Sequence, residues 1–211
     1  MRLYPIFAIM AGLAAGAVSG SDTPPPDDVT CLYKAMTPED HEIALVMFAE
    51  STQNPVPIEE PLADESGQNE AADAPLAFQN EHMAEVFDLL EEAHMRCLDL
   101  YPWNSGQSET SRFYAFLTIL GDATARTLKL AELDIAAADS FYDAGKKKFT
   151  NRNRLTAMEK TALVAQLQAA SWPTEDQALI DMATDYVETR MMKDMLRRAF
   201  DTGDFSKLER L

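Results

Sequence analysis

The feature that most constrains the fold of this chain is an apolar stripe between Phe78 and Trp103. Apolar side chains recur there at steps of three and four residues: Met83, Val86, Phe87, Leu90, Ala93, Cys97, Leu98 and Tyr101. This spacing places them on one face of a helix, and the acidic residues between them keep the outer face in water. Pro102 biases the preceding residue away from helical geometry and ends the pattern. The segment therefore predicts a helix that forms one wall of a core.

Four other segments show the same helical periodicity, and no segment alternates as a strand would. These segments are 37–50, 112–144, 156–170 and 174–203. Glycine is costly inside a helix, so we expect Gly121 to bend or break the second of them. About five helices of moderate to long length predict an all-α protein, packed as a bundle or as an irregular helical array.

Several helix starts are predicted from capping residues. Thr37 is an N-cap candidate with Pro38 in the first helical position, and Ser108 is a candidate cap after a polar turn. Two capping boxes are expected, in which a threonine is followed three residues later by Glu or Gln. Their residues are Thr156 with Glu159 and Thr174 with Gln177.

The first residues are typical of a secretory signal. Arg2 precedes the uncharged apolar or small run 3–18, and small residues follow it. We expect residues 1–19 to be a cleaved signal peptide, with the mature chain beginning between Val18 and Ser21. The alternative is a membrane anchor, but a spanning helix needs roughly 20 apolar residues and this run is shorter. No later segment is apolar enough to span, so we expect no transmembrane segment in the mature chain.

The remaining chain is predicted to form a single helical domain over 37–211, after a leader at 20–36 rich in Pro and Asp that we expect to be extended. One long acidic loop, 51–77, interrupts the domain. It carries prolines and carboxylates and no basic residue. Such a composition buries too little apolar surface to offset its ordering entropy, so we expect the loop to be flexible.

The expected export determines what we predict for the two cysteines, Cys31 and Cys97. An oxidising compartment favours a disulfide between them, whereas two buried free thiols would be the expectation in the cytosol. Cys97 belongs to the apolar stripe, so its sulfur should face the core. The sequence therefore predicts a Cys31–Cys97 disulfide that holds the start of the domain against the central helix.

Charge is distributed unevenly. The whole chain has a net charge of −17, and the strong acidity disfavours binding to nucleic acid. Basic residues concentrate in 146–154 and are candidates for binding anions such as lipid headgroups. They are Lys146, Lys147, Lys148, Arg152 and Arg154. The alternative is a solvated loop whose cations complement the negative end of a helix and the acidic half of the chain.

Catalytic and metal-binding motifs are sparse. Glu91 and His94 form a Glu-x-x-His pair, as in carboxylate-bridged metal bundles, and they are our only metal candidates. His41 and His82 complete no second pair. We find no nucleophile elbow, phosphate loop, dinucleotide fingerprint or zinc motif, and we assign no catalytic residue and no cofactor.

These observations favour an exported, disulfide-linked helical protein that binds a partner, such as another protein, or associates with the cell envelope. The bacterial periplasm or the extracellular space is the expected location. Two alternatives stay open: a carboxylate-based hydrolase or metal-dependent enzyme, and a peripheral membrane protein that uses the basic segment 146–154. Convergent carboxylates in a deep pocket would favour an enzyme, and an exposed apolar groove would favour a binding module.

Overall fold

The computed structural model describes residues 28–53, 81–206 and 208, and its seven elements in these ranges are all α-helices. The helices are α1 (Cys31–Ala35), α2 (Pro38–Gln53), α3 (Glu81–Leu98), α4 (Ser105–Leu130), α5 (Ala136–Gly145), α6 (Ala157–Ala169) and α7 (Gln177–Thr202). The predicted all-α class is confirmed. The predicted signal peptide 1–19 and most of the predicted acidic loop 51–77 lie outside the described residues.

The buried apolar side chains form two clusters. The first lies between α1, α2, α3, the first part of α4 and the last part of α7; it includes Val29, Leu32, Phe48, Val86, Leu90, Phe116, Leu196 and Phe200. The second lies between α5, α6, the end of α4 and the first part of α7; it includes Leu128, Tyr142, Phe149, Leu163, Leu167, Trp172 and Val187. The long helices α4 and α7 contribute to both clusters and join them.

Helices α4 and α7 pack side by side in opposite directions. Near the start of α4, the Arg197 guanidinium donates to the Tyr114 hydroxyl at 3.0 Å. Further along, Gly121 faces Thr189 of α7, where a Cβ atom would lie 3.6 Å from the threonine methyl group. The predicted break at Gly121 is wrong, because α4 continues through this contact and ends at Leu130.

The helix predicted over 112–144 divides after Leu130 instead. Glu132 adopts a left-handed backbone with φ of 61°. Its N–H donates to Lys129 O at 3.0 Å, and the Leu133 N–H donates to Leu128 O at 3.0 Å. This pair of bonds is a Schellman ending formed without glycine, and it accounts for part of the difference between seven helices and the expected five.

Two of the predicted helix starts are confirmed. The Thr37 hydroxyl accepts from the Asp40 N–H at 3.1 Å, and the Asp40 carboxylate accepts from the Thr37 N–H at 3.0 Å. The capping box of Thr156 and Glu159 is present at the start of α6. In both cases a local side-chain bond satisfies a backbone donor that the first helical turn leaves unpaired.

Two other predicted caps are wrong. Helix α4 starts one turn before Ser108, with Asn104 and Gln107 forming the capping box. Helix α7 starts after Asp176, whose carboxylate accepts from two backbone N–H groups, rather than at Thr174. An Asn or Asp caps as well as Ser or Thr does, so the competing candidates could not be separated by residue type alone.

The disulfide connects α1 to α3. Cys31 and Cys97 are bonded with their Cα atoms 6.0 Å apart, and both side chains are buried. Arg96 adds a hydrogen bond from its guanidinium to Ala35 O at 2.6 Å. The sequence analysis placed residues 31–35 in the last part of the extended leader. They form a short helix instead, and its Leu32 is fully buried in the first cluster.

Replacing Cys97 with serine should lower the free energy of unfolding by about 4 kcal/mol, because the bond closes a long loop and the new hydroxyl is buried. Urea unfolding of the oxidised proteins measures this difference. Wild type in a reducing agent provides the matched comparison and should lose most of the same stability. Equal unfolding free energies for oxidised and reduced wild type would contradict the prediction.

Candidate functional site: the groove between α3 and α4

Helices α3 and α4 form an antiparallel hairpin around the turn at 99–104, and their facing side chains meet in successive pairs. The rings of Phe87 and Phe116 stack with centroids 5.6 Å apart. One turn further along α3, Glu91 pairs with Arg112 at 2.5 Å. These side-chain pairs join the two helices and leave an open groove beside them.

The groove has a volume of about 610 Å³ and is mainly apolar at its base. Its lining consists of Phe87, Asp88, Leu90, Glu91, Ser105, Ser108, Glu109, Arg112, Phe113 and Phe116. Leu90 and Phe116 are buried below it, whereas Phe87 keeps 44% of its surface exposed. Among the apolar residues that line the groove, Phe87 is the one classed with the exposed large hydrophobic side chains.

A buried histidine sits at one end of the groove. His94 Nδ1 accepts a hydrogen bond from the Arg112 guanidinium at 2.7 Å, and its Nε2 contacts the Ser108 hydroxyl. A guanidinium can only donate, so the neutral ring carries its proton on Nε2. The histidine therefore donates to the serine, which is the reverse of the proton transfer that activates a serine nucleophile.

The environment of His94 keeps its ring neutral at pH 7. Burial lowers the pKa of His94 below its usual value, the positive charge of Arg112 lowers it further, and Glu91 partly opposes both. The two nitrogens already have partners, and the Glu91 carboxylate is paired with Arg112. The predicted metal candidates Glu91 and His94 thus lie together, but they bind Arg112.

Within the described residues, no group of three or more His, Cys, Asp or Glu side chains has the arrangement of a metal site. One carboxyl group with a raised pKa lies away from the groove, on α7. Burial and the negative charge of Glu188 raise the pKa of Asp185 to about 7. Glu188 itself accepts from the Leu155 N–H at 3.0 Å and pairs with Lys160 at 3.4 Å.

The predicted anion-binding segment is folded onto the domain. Lys146 pairs with Asp194 of α7 at 3.2 Å, and Arg152 pairs with Glu159 of α6 at 2.7 Å. Phe149 is buried between these cations. Lys147, Lys148 and Arg154 remain at the surface. Part of the basic charge therefore complements carboxylates of the same chain.

Comparisons of the chain with family models, curated proteins and solved structures found no match. The geometry of the groove therefore carries the functional interpretation. In addition, none of the described helices combines the length and apolar content that crossing a bilayer requires.

The sequence indicates one wall of the groove but not the other. The stripe on α3 contains Phe87, but the polar and aromatic residues of α4 were not recognised as a site. Ser105, Glu109, Arg112 and Phe116 follow one another at steps of four, three and four, so they occupy one helix face. That spacing was the available signal, but nothing in it indicated which helix lies opposite.

The lowered pKa of His94 predicts that the protein loses stability as the pH falls below about 6.5, the ordinary pKa of histidine. Below that value the unfolded chain takes up a proton at His94 more readily than the folded protein, so proton binding favours unfolding. The loss continues until the pH reaches the folded-state pKa. Urea unfolding at a series of pH values measures it, and the His94→Gln variant should lack this component.

An NMR titration of the imidazole signals provides the direct check on the same prediction. The His94 ring should titrate below the ordinary histidine range in the folded protein. A midpoint within or above that range would contradict the hydrogen-bond arrangement with Arg112.

Proposed function

We propose that this protein is an exported binding protein that recognises a protein partner through the groove between α3 and α4. The observation that carries this proposal is the half-exposed ring of Phe87, which stands over an apolar base beside Phe113 and Phe116. Grooves that combine apolar bases with a few polar groups at their edges are typical of ligand-binding surfaces. Covering Phe87 would remove apolar area from water and stabilise the complex.

The polar groups of the groove also favour binding over chemistry. The Ser108 hydroxyl accepts a hydrogen bond from the His94 Nε2–H rather than donating one to it. Arg112 and Glu91 neutralise each other. These residues rigidify the groove by linking its two walls, and a rigid groove loses less conformational entropy when a partner binds.

Two features support export. The sequence begins with a pattern typical of a signal peptide. The buried disulfide between Cys31 and Cys97 belongs to the kind that persists in oxidising compartments. The periplasm of a bacterium or the extracellular space is therefore the proposed location.

Export predicts a mature chain that begins between Val18 and Ser21, because signal peptidases cut after small residues that follow an apolar run. The intact mass of the protein recovered from outside the cytoplasm measures the cleavage point. A protein that keeps Met1 in the membrane fraction would contradict the prediction and would favour an anchor.

Partner recognition at the groove can be tested by incorporating a photo-crosslinking phenylalanine analogue at Phe87 in cells that export the protein. Irradiation should yield a discrete adduct with a protein, because the ring at this position would be covered by the partner. Met158 of α6, which is 82% exposed and lies outside the groove, is the matched control position. Equal adducts at both positions, or none at Phe87, would overturn the proposal.

A further inference from the structure

We infer that the partner segment seated in the α3–α4 groove is an amphipathic helix with basic residues flanking its apolar side. This inference rests on the proposed function and specifies the chemistry of the partner. It is carried by three features of the described surface: exposed apolar side chains that recur along α3, walls that offer no sheet edge, and carboxylates without ion pairs at the groove edges.

Exposed apolar side chains recur on α3 beyond the groove, past Glu91 and His94, which lie between them on this face and contact Arg112. Phe87 and Leu98 are eleven residues apart, which returns to nearly the same face of the helix, and Met95 lies beside them. These side chains are 44%, 38% and 56% exposed, respectively. At about 1.5 Å per residue, Phe87 and Leu98 lie about 17 Å apart along the helix axis. Three turns of a partner helix have a similar length, so its first and last turns would place apolar side chains against Phe87 and Leu98.

The walls of the groove favour a helix over an extended peptide. Both walls are α-helices, and most of their backbone groups are bonded within each helix, apart from N–H groups in the first turn of α4 beside Ser105. An extended segment would therefore find no sheet edge to pair with and would leave its own backbone groups unbonded where it is buried. A helix satisfies these groups internally and presents side chains alone, which is the recognition mode of amphipathic helices in apolar grooves.

The edges of the groove are acidic on both sides. Asp88 lies on the α3 wall and Glu109 on the α4 wall. In the part of the chain that the structure describes, neither carboxylate has an ion pair, whereas the nearby Glu91 is paired with Arg112. Lysine or arginine residues beside the apolar side of a partner helix would complement both edges. The net charge of −17 would also accelerate the approach of a basic segment.

The test uses two synthetic amphipathic peptides that share the same leucine face. One peptide has lysine at all of the remaining positions, and the other has glutamate there. Fluorescence anisotropy at physiological salt measures the dissociation constant of each peptide with the mature, oxidised protein. The lysine peptide should bind more tightly than the glutamate peptide. The Phe87→Ala substitution should weaken binding of the lysine peptide about tenfold, because Phe87 lines the groove. The Met158→Ala substitution should leave this binding unchanged, because Met158 lies outside the groove.

Charge reversal separates recognition at the groove from general attraction to an acidic protein. The double variant Asp88→Lys with Glu109→Lys should reverse the preference, so that the glutamate peptide binds more tightly. The control double variant Glu175→Lys with Asp201→Lys changes the net charge equally at exposed positions outside the groove. It should keep the wild-type preference.

Three outcomes would overturn the inference: equal affinities for the two peptides, the same loss of lysine-peptide binding in both double variants, or no effect of Phe87→Ala. The photo-crosslinking experiment distinguishes this failure from failure of the proposed function. An adduct at Phe87 with a protein that lacks a basic amphipathic helix would leave the binding function in place and would reject the helix chemistry proposed for the partner.

Discussion

The packing of α4 against α7 is the interaction on which the rest of the structure depends. These helices are the elements that enter both apolar clusters, so their contact holds the α1–α3 half and the α5–α6 half in one arrangement. The sequence pattern pointed to α3 as the organising helix, but α3 contributes to the first cluster alone. Its position relative to α4 is set by α1, α2 and the Cys31–Cys97 bond, together with the side-chain pairs at the groove.

The groove follows from the way α3 is held. The disulfide fixes the C-terminal end of α3 to α1, and its buried stripe packs into the first cluster. Side-chain pairs, rather than a continuous apolar seam, then bridge from α3 to α4. Arg112 is central to them, because its guanidinium reaches both Glu91 and the Nδ1 atom of His94. The same hydrogen bonds that brace the groove orient the His94 ring toward Ser108.

Helix ends show why local signals predicted some features and missed others. The bonds of Thr37 and of Thr156 with Glu159 were predictable because each involves residues within one turn. The end of α4 was not, because its left-handed residue is Glu132. Glycine is the usual signal for such an ending, and a left-handed residue with a side chain is disfavoured by roughly 1–2 kcal/mol. Tertiary contacts of the following residues stabilise the turn; Leu133, for example, packs against the second cluster.

The sequence alone determined the all-α class, the faces of the main helices and the cysteine pair, because periodicity and cysteine content are properties of one helix or of the whole chain. The tertiary structure decided which part of each apolar stripe stays in contact with water. Val86 and Phe87 are adjacent in the same stripe, yet Val86 is fully buried and Phe87 is half exposed. Periodicity specifies where each side chain lies around the axis of its own helix. Whether a neighbouring helix covers that side chain depends on packing between segments far apart in the chain. That packing created the groove.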